Sequence, residues 1–308
     1  MSSLNGVWAI VLNFNQADRT RACVSSLLSG SVTPERILVV DNGPTETPGL
    51  SESEWSPMVR YHRLETNTGF AGGNNAGIRK ALGAGALYIW VLNNDTTVDT
   101  DCLKSLLKAC KPAALSVVAP LIRNHHDLSV WFAGGVIDTK NGFVLHSTKL
   151  TPDVEALEVG YAVGCSLFAT ATTWSTVGGF DESLFLYWED VDWNLRLSRE
   201  GGKAFVAVGA GVIHDAGGSS VRSSRSSASV PLYYKARNRL IIARRRDFAL
   251  LSVILSTPRW VVRELRSATL DLERKPNLRE MASMFRGLMA GMFGRIPARC
   301  SVLQRISQ

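Results

Sequence analysis

Apolar runs of strand length alternate with segments of helical spacing through the first hundred residues. The predicted strands are Val7–Leu12, Ile37–Val40, Val59–Arg63 and Leu87–Leu92. Between them, Arg19–Leu28 and Asn74–Leu82 have helical spacing, and the second of these predicted helices follows a glycine-rich turn. Strands separated by helices predict an α/β fold in which a mainly parallel sheet is flanked by helices.

The second half of the chain has a less regular pattern. It predicts strands at Tyr161–Thr170 and Ala204–Ile213, a helix at Trp188–Arg199, and a loop from Gly217 to Ser229. Helices follow, with predicted breaks at Pro258, Pro276 and Pro297. We expect an α/β domain at residues 1–230 and a helical, basic extension at residues 231–308.

Composition and charge add one feature to this picture. The chain has 308 residues, of which 45% are hydrophobic and 20% charged, values typical of a folded globular protein. Residues 222–308 carry 18 Lys and Arg but 5 Asp and Glu, a net charge of +13, against −6 for the rest. A basic extension predicts an anionic partner, namely nucleic acid, lipid headgroups or a phosphorylated acceptor. A solvated helical face is the alternative.

The cysteines and apolar runs exclude several classes of protein. The five cysteines are scattered and form no CxxC pair, so we expect reduced packing residues in a cytosolic protein rather than disulfides or a zinc site. No secretion signal is visible, and no apolar run approaches the roughly 20 residues of a spanning helix.

Polar residues follow three of the predicted strands. They are Asn13, Asp41 with Asn42, and Asn93-Asn94-Asp95. In parallel sheets the ligand crevice lies beyond these carboxyl ends, so we expect the three groups to share a pocket. Asp95 can ligate a hard divalent cation that bridges phosphate oxygens, and Asp41 can accept a hydrogen bond from a base or ribose. Both residue types also favour turns and caps.

The stretch from Asn67 to Asn75 is glycine-rich and precedes a predicted helix. Backbone amides at a helix start favour anions. The stretch lacks the GxGxxG and GKS/GKT patterns of dinucleotide and P-loop sites. A structural turn is the alternative.

Carboxylates cluster later in the chain. Glu189 and Asp190 follow Trp188 at a predicted helix start, where one of them can act as a general base or simply complement the helix dipole. His214 ends a strand and is a metal ligand or a structural residue. Arg237 lies near the start of the basic extension. It is a candidate to bind a phosphate, and a solvent-exposed surface charge is the alternative.

Together these segments resemble the family 2, GT-A-type glycosyltransferases, especially their bacterial rhamnosyltransferase-like and galactofuranosyltransferase-like branch. The resemblance covers roughly residues 7–240. The matching pieces are Val39-Val40-Asp41-Asn42, Asn67-Thr68-Gly69-Phe70-Ala71-Gly72-Gly73-Asn74, Asn93-Asn94-Asp95, Gly178-Gly179-Phe180-Asp181-Glu182, Glu189-Asp190-Val191-Asp192, His214 and the tyrosine/Arg237-Asn238 segment.

The resemblance implies a role for each matching residue. The donor nucleotide would be bound by Asn13, Asp41, Asn67, Gly69, Gly72, Asn74, Asn94, Asp95 and Arg237. Asp95 and His214 would hold Mg²⁺ or Mn²⁺, although Asn93 and Asn94 leave one carboxylate in a motif that is usually DXD. Asp190 would be the catalytic base, with Glu189 beside it in an acceptor-binding role.

By resemblance, the expected activity is inverting transfer of a sugar, with dTDP-rhamnose preferred and UDP-hexoses next, to a saccharide acceptor in cell-surface polysaccharide synthesis. The basic helices around Phe248–Leu270 mix Arg, Trp and Leu, as interfacial helices do. We therefore expect peripheral contact with the cytoplasmic face of the inner membrane and a lipid-linked acceptor.

The sequence has three rival interpretations. A sugar-1-phosphate nucleotidyltransferase should carry a basic glycine-rich loop after the first strand, where this chain has Asn13-Phe14-Asn15-Gln16. A non-catalytic sugar-nucleotide or carbohydrate-binding module is compatible with the reduced metal motif, but Glu189-Asp190 argues against it. No recognised motif supports nucleic-acid binding.

Overall fold

The computed structural model describes residues 2–43, 47, 49–50, 55–150, 154–215, 228–245, 247–272, 274–295 and 298. The strands are β1 Ser2–Asn13, β2 Val32–Asp41, β3 Val59–Arg63, β4 Tyr88–Asn93, β5 Thr96–Val98, β6 Ser116–Asn124, β7 Val130–Phe132, β8 Gly135–Asp138, β9 Phe143–His146, β10 Ala156–Val159, β11 Ser166–Thr170 and β12 Lys203–His214. The helices are α1 Ala17–Leu28, α2 Gly69–Gly83, α3 Cys102–Ala109, α4 Ala171–Val177, α5 Glu189–Arg199, α6 Ser229–Arg244, α7 Leu250–Leu272 and α8 Leu278–Phe293.

Ten strands form one sheet, along which the main order is β10-β12-β6-β11-β4-β1-β2-β3. The predicted parallel arrangement is confirmed for β3, β2, β1 and β4. Strand β11 lies between β4 and β6 and is antiparallel to both, so the whole sheet is mixed. The α/β fold class is confirmed, with the carboxyl ends of β1, β2 and β4 at one edge of the sheet.

The central strands are buried on both faces, which explains their near-continuous apolar sequences. Ala9, Ile10 and Val11 of β1 are fully buried, as are Ile89 and Trp90 of β4. Helices pack on this sheet through faces of matching period. In α1, for example, the buried residues are Thr20, Cys23, Val24 and Leu27.

Two predictions about local structure are wrong. The glycine-rich stretch is not a turn before a helix, because α2 already begins at Gly69. Gly73 and Gly77 lie inside α2, where close packing against β1 outweighs their low helix propensity. Pro258 does not break a helix, since α7 continues through it. Its ring is exposed, while Val253 and Trp260 on either side are buried and hold α7 in place.

The C-terminal helices pack against the α/β core and share buried residues with it. Leu240, Ile241 and Ile242 of α6 belong to the same buried cluster as the central strands. A second, smaller cluster joins α6 to Trp260 of α7 and Met284 of α8. Among the described residues, no helix combines the length and apolarity needed to cross a bilayer. The predicted loop Gly217–Ser229 lies almost wholly outside the described residues, as do Pro297 and Cys300.

Cys23, Cys102, Cys110 and Cys165 are buried free thiols, as expected for packing residues.

Candidate active site

Strand pairing brings Asp95 and His214 together. Strand β5 pairs with the end of β12, which places His214 opposite Thr96. The amide of Asp215 donates to the carbonyl of Asp95 at 2.9 Å and fixes the two chain segments. As a result, Asp95 Oδ1 lies 3.2 Å from His214 Nε2, with both side chains buried. Residues 119 positions apart in the sequence thus meet at one edge of the sheet.

This pair fits a divalent cation. Two neighbouring ligand atoms of an octahedral ion with bonds of about 2.1 Å lie roughly 3 Å apart, close to the observed separation. Asp95 Oδ1 and the nearby Asn93 Oδ1 are buried without a hydrogen-bond partner. The described residues contain no cluster of three or more His, Cys, Asp or Glu able to hold a metal. Donor phosphates and water would therefore complete the coordination.

Arg19 of α1 approaches the same pair. Its Nη2 donates to Asp215 at 2.7 Å, and its Nη1 lies 4.0 Å from Asp95 Oδ2. The guanidinium offsets part of the negative charge of the two carboxylates. It also supplies a positive charge near the position proposed for a diphosphate.

The start of α5 carries the two other acids. Asp190 accepts hydrogen bonds from the Tyr161 hydroxyl, from the Gly164 amide at 2.9 Å and from the Val191 amide at 2.8 Å. Glu189 is buried, and its Oε2 has no hydrogen-bond partner. The two adjacent side chains therefore differ in how well a negative charge is stabilised on each.

The pKa values follow from this difference. Burial and the neighbouring Asp190 carboxylate raise the pKa of Glu189 well above its ordinary value. Burial also raises the pKa of Asp190, but its hydrogen bonds from Tyr161 and Gly164 act in the opposite direction. Two adjacent buried carboxyls do not ionise independently, and the hydrogen bonds to Asp190 favour the negative charge there over Glu189.

The segment leading into α5 has an unusual backbone. Phe185, Tyr187 and Trp188 have φ values of 64°, 64° and 72°, in the left-handed region that non-glycine residues rarely adopt. The side-chain amide of Asn238, in α6, donates to the carbonyls of Leu184, Leu186 and Tyr187 at 2.8 to 3.0 Å. Such strain persists where surrounding contacts impose it, and here it orients the helix start that carries Glu189 and Asp190.

A cavity of about 510 Å³ joins the two pairs of residues. Asn93, Asp95 and His214 line one part of it, and Glu189 and Asp190 another. The C-terminal helices form a further part of the wall, with Lys235, Trp260, Arg263, Glu264, Ser267 and Ala268. The space is within the range of small-molecule sites.

Asn13 and Asp41 form a buried network beside this cavity, at the ends of β1 and β2. Asp41 accepts from Asn13 at 2.8 Å, from the amide and hydroxyl of Thr47 at 3.0 and 2.9 Å, and from Tyr61 at 2.7 Å. Burial raises the pKa of Asp41, but these hydrogen bonds outweigh burial and hold it below its ordinary value. The Asp41 carboxylate is ionised and already fully hydrogen-bonded within the protein.

The other residues expected at the nucleotide have defined positions. Asn67 Oδ1 accepts from the amide of Gly69, whose φ of +74° and contact with Phe185 require glycine. Asn74 Nδ2 donates to Phe70, while its buried Oδ1 has no partner. Gly72 packs on Thr68, Asn94 Nδ2 donates to Thr20 at 3.1 Å, and Arg237 donates to Ser183 and Asn238. None of these six residues lines the cavity. Phe70, Asn93 and Asp95, which are their neighbours in the sequence, do line it.

The sequence interpretation gave no role to five residues of the cavity or its surroundings. They are Tyr161, Trp131, Arg19, Lys235 and Arg263. Trp131 packs edge-on against His214 with ring centroids 5.2 Å apart. No local motif marks these residues, because each reaches the site from a different, distant element of the chain.

Comparisons with known proteins give a family match and a fold for this chain. Residues 8–149 match the family model for glycosyl transferase family 2. Low-salt glycan biosynthesis hexosyltransferase Agl10 of Haloferax volcanii is 24% identical over 275 residues, 84% of this chain and 84% of the relative. Galactofuranosyltransferase GlfT1 of Mycobacterium tuberculosis is 26% identical over 220 residues, 68% of this chain and 70% of the relative.

The solved structure of GalNAc-T7 with UDP, GalNAc and Mn²⁺ superposes with a TM-score of 0.58 at 15% identity over 92% of this chain. This chain spans 58% of GalNAc-T7, and at that identity the likeness is one of fold. Taken together, these comparisons show a glycosyl transferase family 2 domain at residues 8–149, in a chain that has the GT-A type of fold.

Proposed function

We propose that the chain transfers a sugar from a nucleoside-diphosphate donor to a hydroxyl of a saccharide acceptor, with inversion at the anomeric carbon. The observation that carries this proposal is the cavity, which has Asp95 and His214 on one side and Glu189 and Asp190 on another. One pair is suited to a metal-bound diphosphate and the other to an acceptor hydroxyl. A binding module has no need of a buried pair of acids whose hydrogen bonding differs in this way.

In this mechanism Asp190 removes the proton of the acceptor hydroxyl as its oxygen attacks the anomeric carbon. The bond from that carbon to the donor diphosphate breaks in the same step, and no covalent intermediate forms. Tyr161 and the Gly164 amide hold Asp190 in place and stabilise its charged form. The raised pKa of Glu189 favours its protonated form, which can donate a hydrogen bond to an acceptor oxygen.

Asp95 and His214 would hold Mg²⁺ or Mn²⁺ on the donor side. The ion would supply positive charge for the departing diphosphate. Arg19, within 4.0 Å of Asp95, adds a fixed positive charge to the same region. The nucleoside is assigned to the edge formed by Asn13, Asp41 and the start of α2, with Asn67, Gly69, Gly72, Asn74, Asn94 and Arg237 shaping it. GalNAc-T7, whose structure contains UDP and Mn²⁺, has the same fold.

The substrates belong to the same proposal. The relatives named as hexosyl- and galactofuranosyltransferases support a hexosyl donor. We propose UDP or dTDP as its nucleotide carrier. Rhamnose is the sugar that the resemblance to the rhamnosyltransferase-like branch implies. The relative named for glycan biosynthesis supports a role in glycan or polysaccharide synthesis. A lipid-linked acceptor and peripheral contact with the cytoplasmic face of the membrane complete the proposal.

A donor panel tests the activity. The full chain is incubated with dTDP-, UDP- and GDP-sugars and acceptor mixtures, with and without Mn²⁺ or Mg²⁺, and the released nucleoside diphosphate is measured. We expect metal-dependent release from one donor. Binding of a donor by calorimetry without any release would contradict the enzymatic role and favour a binding module.

Asp190→Asn tests the mechanism with that donor. We expect transfer to fall at least about 10²-fold, because the base is lost, while the donor binds with unchanged affinity. Asp127→Asn, at an exposed carboxyl in the turn after β6, is the control and should retain full activity. Retained turnover in Asp190→Asn would remove Asp190 from the role of base.

A further inference from the structure

The outer face of α8 is apolar and open to solvent. Its exposed large residues are Leu278, Met281, Phe285, Met289 and Phe293. They recur every three or four positions and therefore form one continuous stripe along the helix. The exposed fractions are 81% for Leu278, 62% for Phe285 and 75% for Phe293, far above what packing in a core leaves. Scattered apolar residues are ordinary on a surface, but a contiguous stripe marks an interaction site.

The opposite face of α8 fixes its orientation. Gly287 and Gly291 pack directly on the backbone of α6, where an added Cβ would lie 2.3 Å from the Tyr233 carbonyl oxygen and 2.5 Å from that of Arg237. Met284, on the same side, is buried in the cluster shared with α6 and α7. Rotation of α8 would replace these glycines with bulky side chains at the closest contact. The apolar stripe therefore stays on the outside.

Charge distinguishes between possible occupants of this stripe. Arg279 and Arg286 of α8 are exposed beside it. Glu280 is the acidic residue of the helix, and it is buried, capping α8 and paired with Arg274 at 2.9 Å. The exposed face therefore presents apolar and basic side chains and no acid. This combination is typical of helices that lie in the interface of an anionic membrane.

The neighbouring helix α7 has a similar composition. Leu251 and Leu255 are exposed near its start, and Arg259 and Arg266 are exposed further along the same helix. A second copy of the chain would meet this surface with the same basic residues and a like net charge of +7. An anionic lipid surface offers the opposite charge and an apolar layer deep enough for phenylalanine and leucine side chains.

We propose that the outer face of α8 docks the enzyme on a membrane surface that contains anionic lipids, with Phe285 and Phe293 inserted and Arg279 and Arg286 at the headgroups. This deepens the peripheral contact included in the proposed function and locates it on α8 rather than on Phe248–Leu270. Since Trp260 of α7 shares a buried cluster with α8 and also lines the cavity, docking holds the helical wall of the cavity next to the lipid. A lipid-linked acceptor then reaches that wall without leaving the membrane.

Vesicle flotation of the full chain tests the proposal independently of any transferase activity. Vesicles of phosphatidylcholine alone are compared with vesicles containing phosphatidylglycerol. We expect the chain to float with the anionic vesicles and to bind the neutral ones at least tenfold more weakly. No flotation with anionic vesicles would overturn the proposal.

Two variants locate the contact. Phe285→Glu/Phe293→Glu should abolish flotation, and Arg279→Gln/Arg286→Gln should weaken it and its dependence on salt. Leu87→Glu, at a residue 61% exposed before β4, is the control and should float as the unaltered chain does. Circular dichroism and thermal melting establish that each variant is folded. Equal flotation of the double-glutamate variant would overturn the assignment to α8.

Light scattering distinguishes the rival occupant. If the unaltered chain is a dimer in solution and Phe285→Glu/Phe293→Glu is a monomer, the stripe is an interface between copies and the membrane proposal is wrong. A monomer in both cases, together with flotation of the unaltered chain, supports the membrane surface.

Discussion

At the scale of single residues, the site depends on how well the neighbouring side chains stabilise a negative charge on Asp190. Tyr161 is buried, and the pKa of its hydroxyl is raised well above the ordinary value by burial and by Asp190, so it remains a donor. That bond is one of the contacts that favour the ionised form of Asp190 over the neutral one. The partition of charge between Asp190 and Glu189 is thus set by a residue that no sequence motif identifies.

Tyr161→Phe should move the acidic limb of the pH profile. The ionised form of Asp190 is the base, so activity is lost as pH falls through its pKa. Removing the Tyr161 hydroxyl raises that pKa, and kcat/KM should fall off at a pH about 1 to 2 units higher. The measurement is kcat/KM between pH 5 and 9.

Tyr88→Phe is the control, because Tyr88 stacks on Phe168 away from the cavity. Removal of its hydroxyl should leave the pH profile of kcat/KM unchanged. An unshifted limb in Tyr161→Phe would show that this bond does not tune the base.

Glu189 should make stability depend on pH in the opposite sense to most acids. Its raised pKa means that the folded chain keeps a proton that the unfolded chain releases, so stability falls as pH rises between the unfolded and folded pKa values. Glu189→Gln should remove this dependence. In the unaltered chain it changes the free energy of unfolding by at most about 1.4 kcal/mol for each pH unit in that interval. Urea unfolding of both proteins at pH 5, 6 and 7 measures it, and parallel slopes would contradict the raised pKa.

At the scale of elements, α2 shows where local sequence preference gives way to packing. Its glycines predict a loop, yet they are helical because β1 leaves no room for larger side chains. An added Cβ on Gly73 or Gly77 would lie 2.4 Å from Leu12 or Ile10 of β1. The helix thereby comes close enough to the sheet for its first turn to meet Asn42 and Phe185 at the site.

Two glycine substitutions in α2 should have opposite effects. Gly77→Ala should destabilise the fold, because overpacking costs about 1 to 3 kcal/mol and exceeds the gain in helix propensity of about 1 kcal/mol. Gly83→Ala, at the end of the same helix with no atom within 4 Å of an added Cβ, should be neutral or stabilising. The midpoints of urea unfolding measure the stability of both variants. A stabilising Gly77→Ala would show that β1 shifts to make room for the added methyl group.

Asn238 links α6 to the strained segment before α5, and its loss should affect catalysis more than stability alone explains. Asn238→Ala removes the donor to three carbonyls, so we expect a loss of about 1 to 3 kcal/mol and a kcat at least about tenfold lower, with an unchanged KM for the donor. Asn277→Ala removes the capping box of α8 at a similar cost in stability and should keep kcat. Equal kcat values in the two variants would contradict the positioning role.

At the scale of the whole molecule, the parts that the sequence predicts are those with local signals. Strand period, helical spacing and the polar ends of β1, β2 and β4 are all local, and they sufficed to predict an α/β sheet with a pocket at one edge. The antiparallel insertion of β11 between β4 and β6 has no local signal, because strand partners are chosen by tertiary packing. For the same reason Asp95 and His214 were paired by resemblance, while Arg19 and Tyr161 were not found.

The integration of α6 into the main core has a consequence for protein synthesis. Asn238 lies 51 residues beyond Tyr187, whose carbonyl it holds. The twelve strands of the described part of the chain all precede it. At about 5 to 20 residues per second, a ribosome needs roughly 3 to 10 s to reach Asn238 after Tyr187. By the end of that interval the nascent chain has acquired Glu189, Asp190 and β12, but it still lacks the hydrogen bonds from Asn238 that orient the start of α5. The sugar donor therefore meets a finished catalytic centre only after α6 has been synthesised.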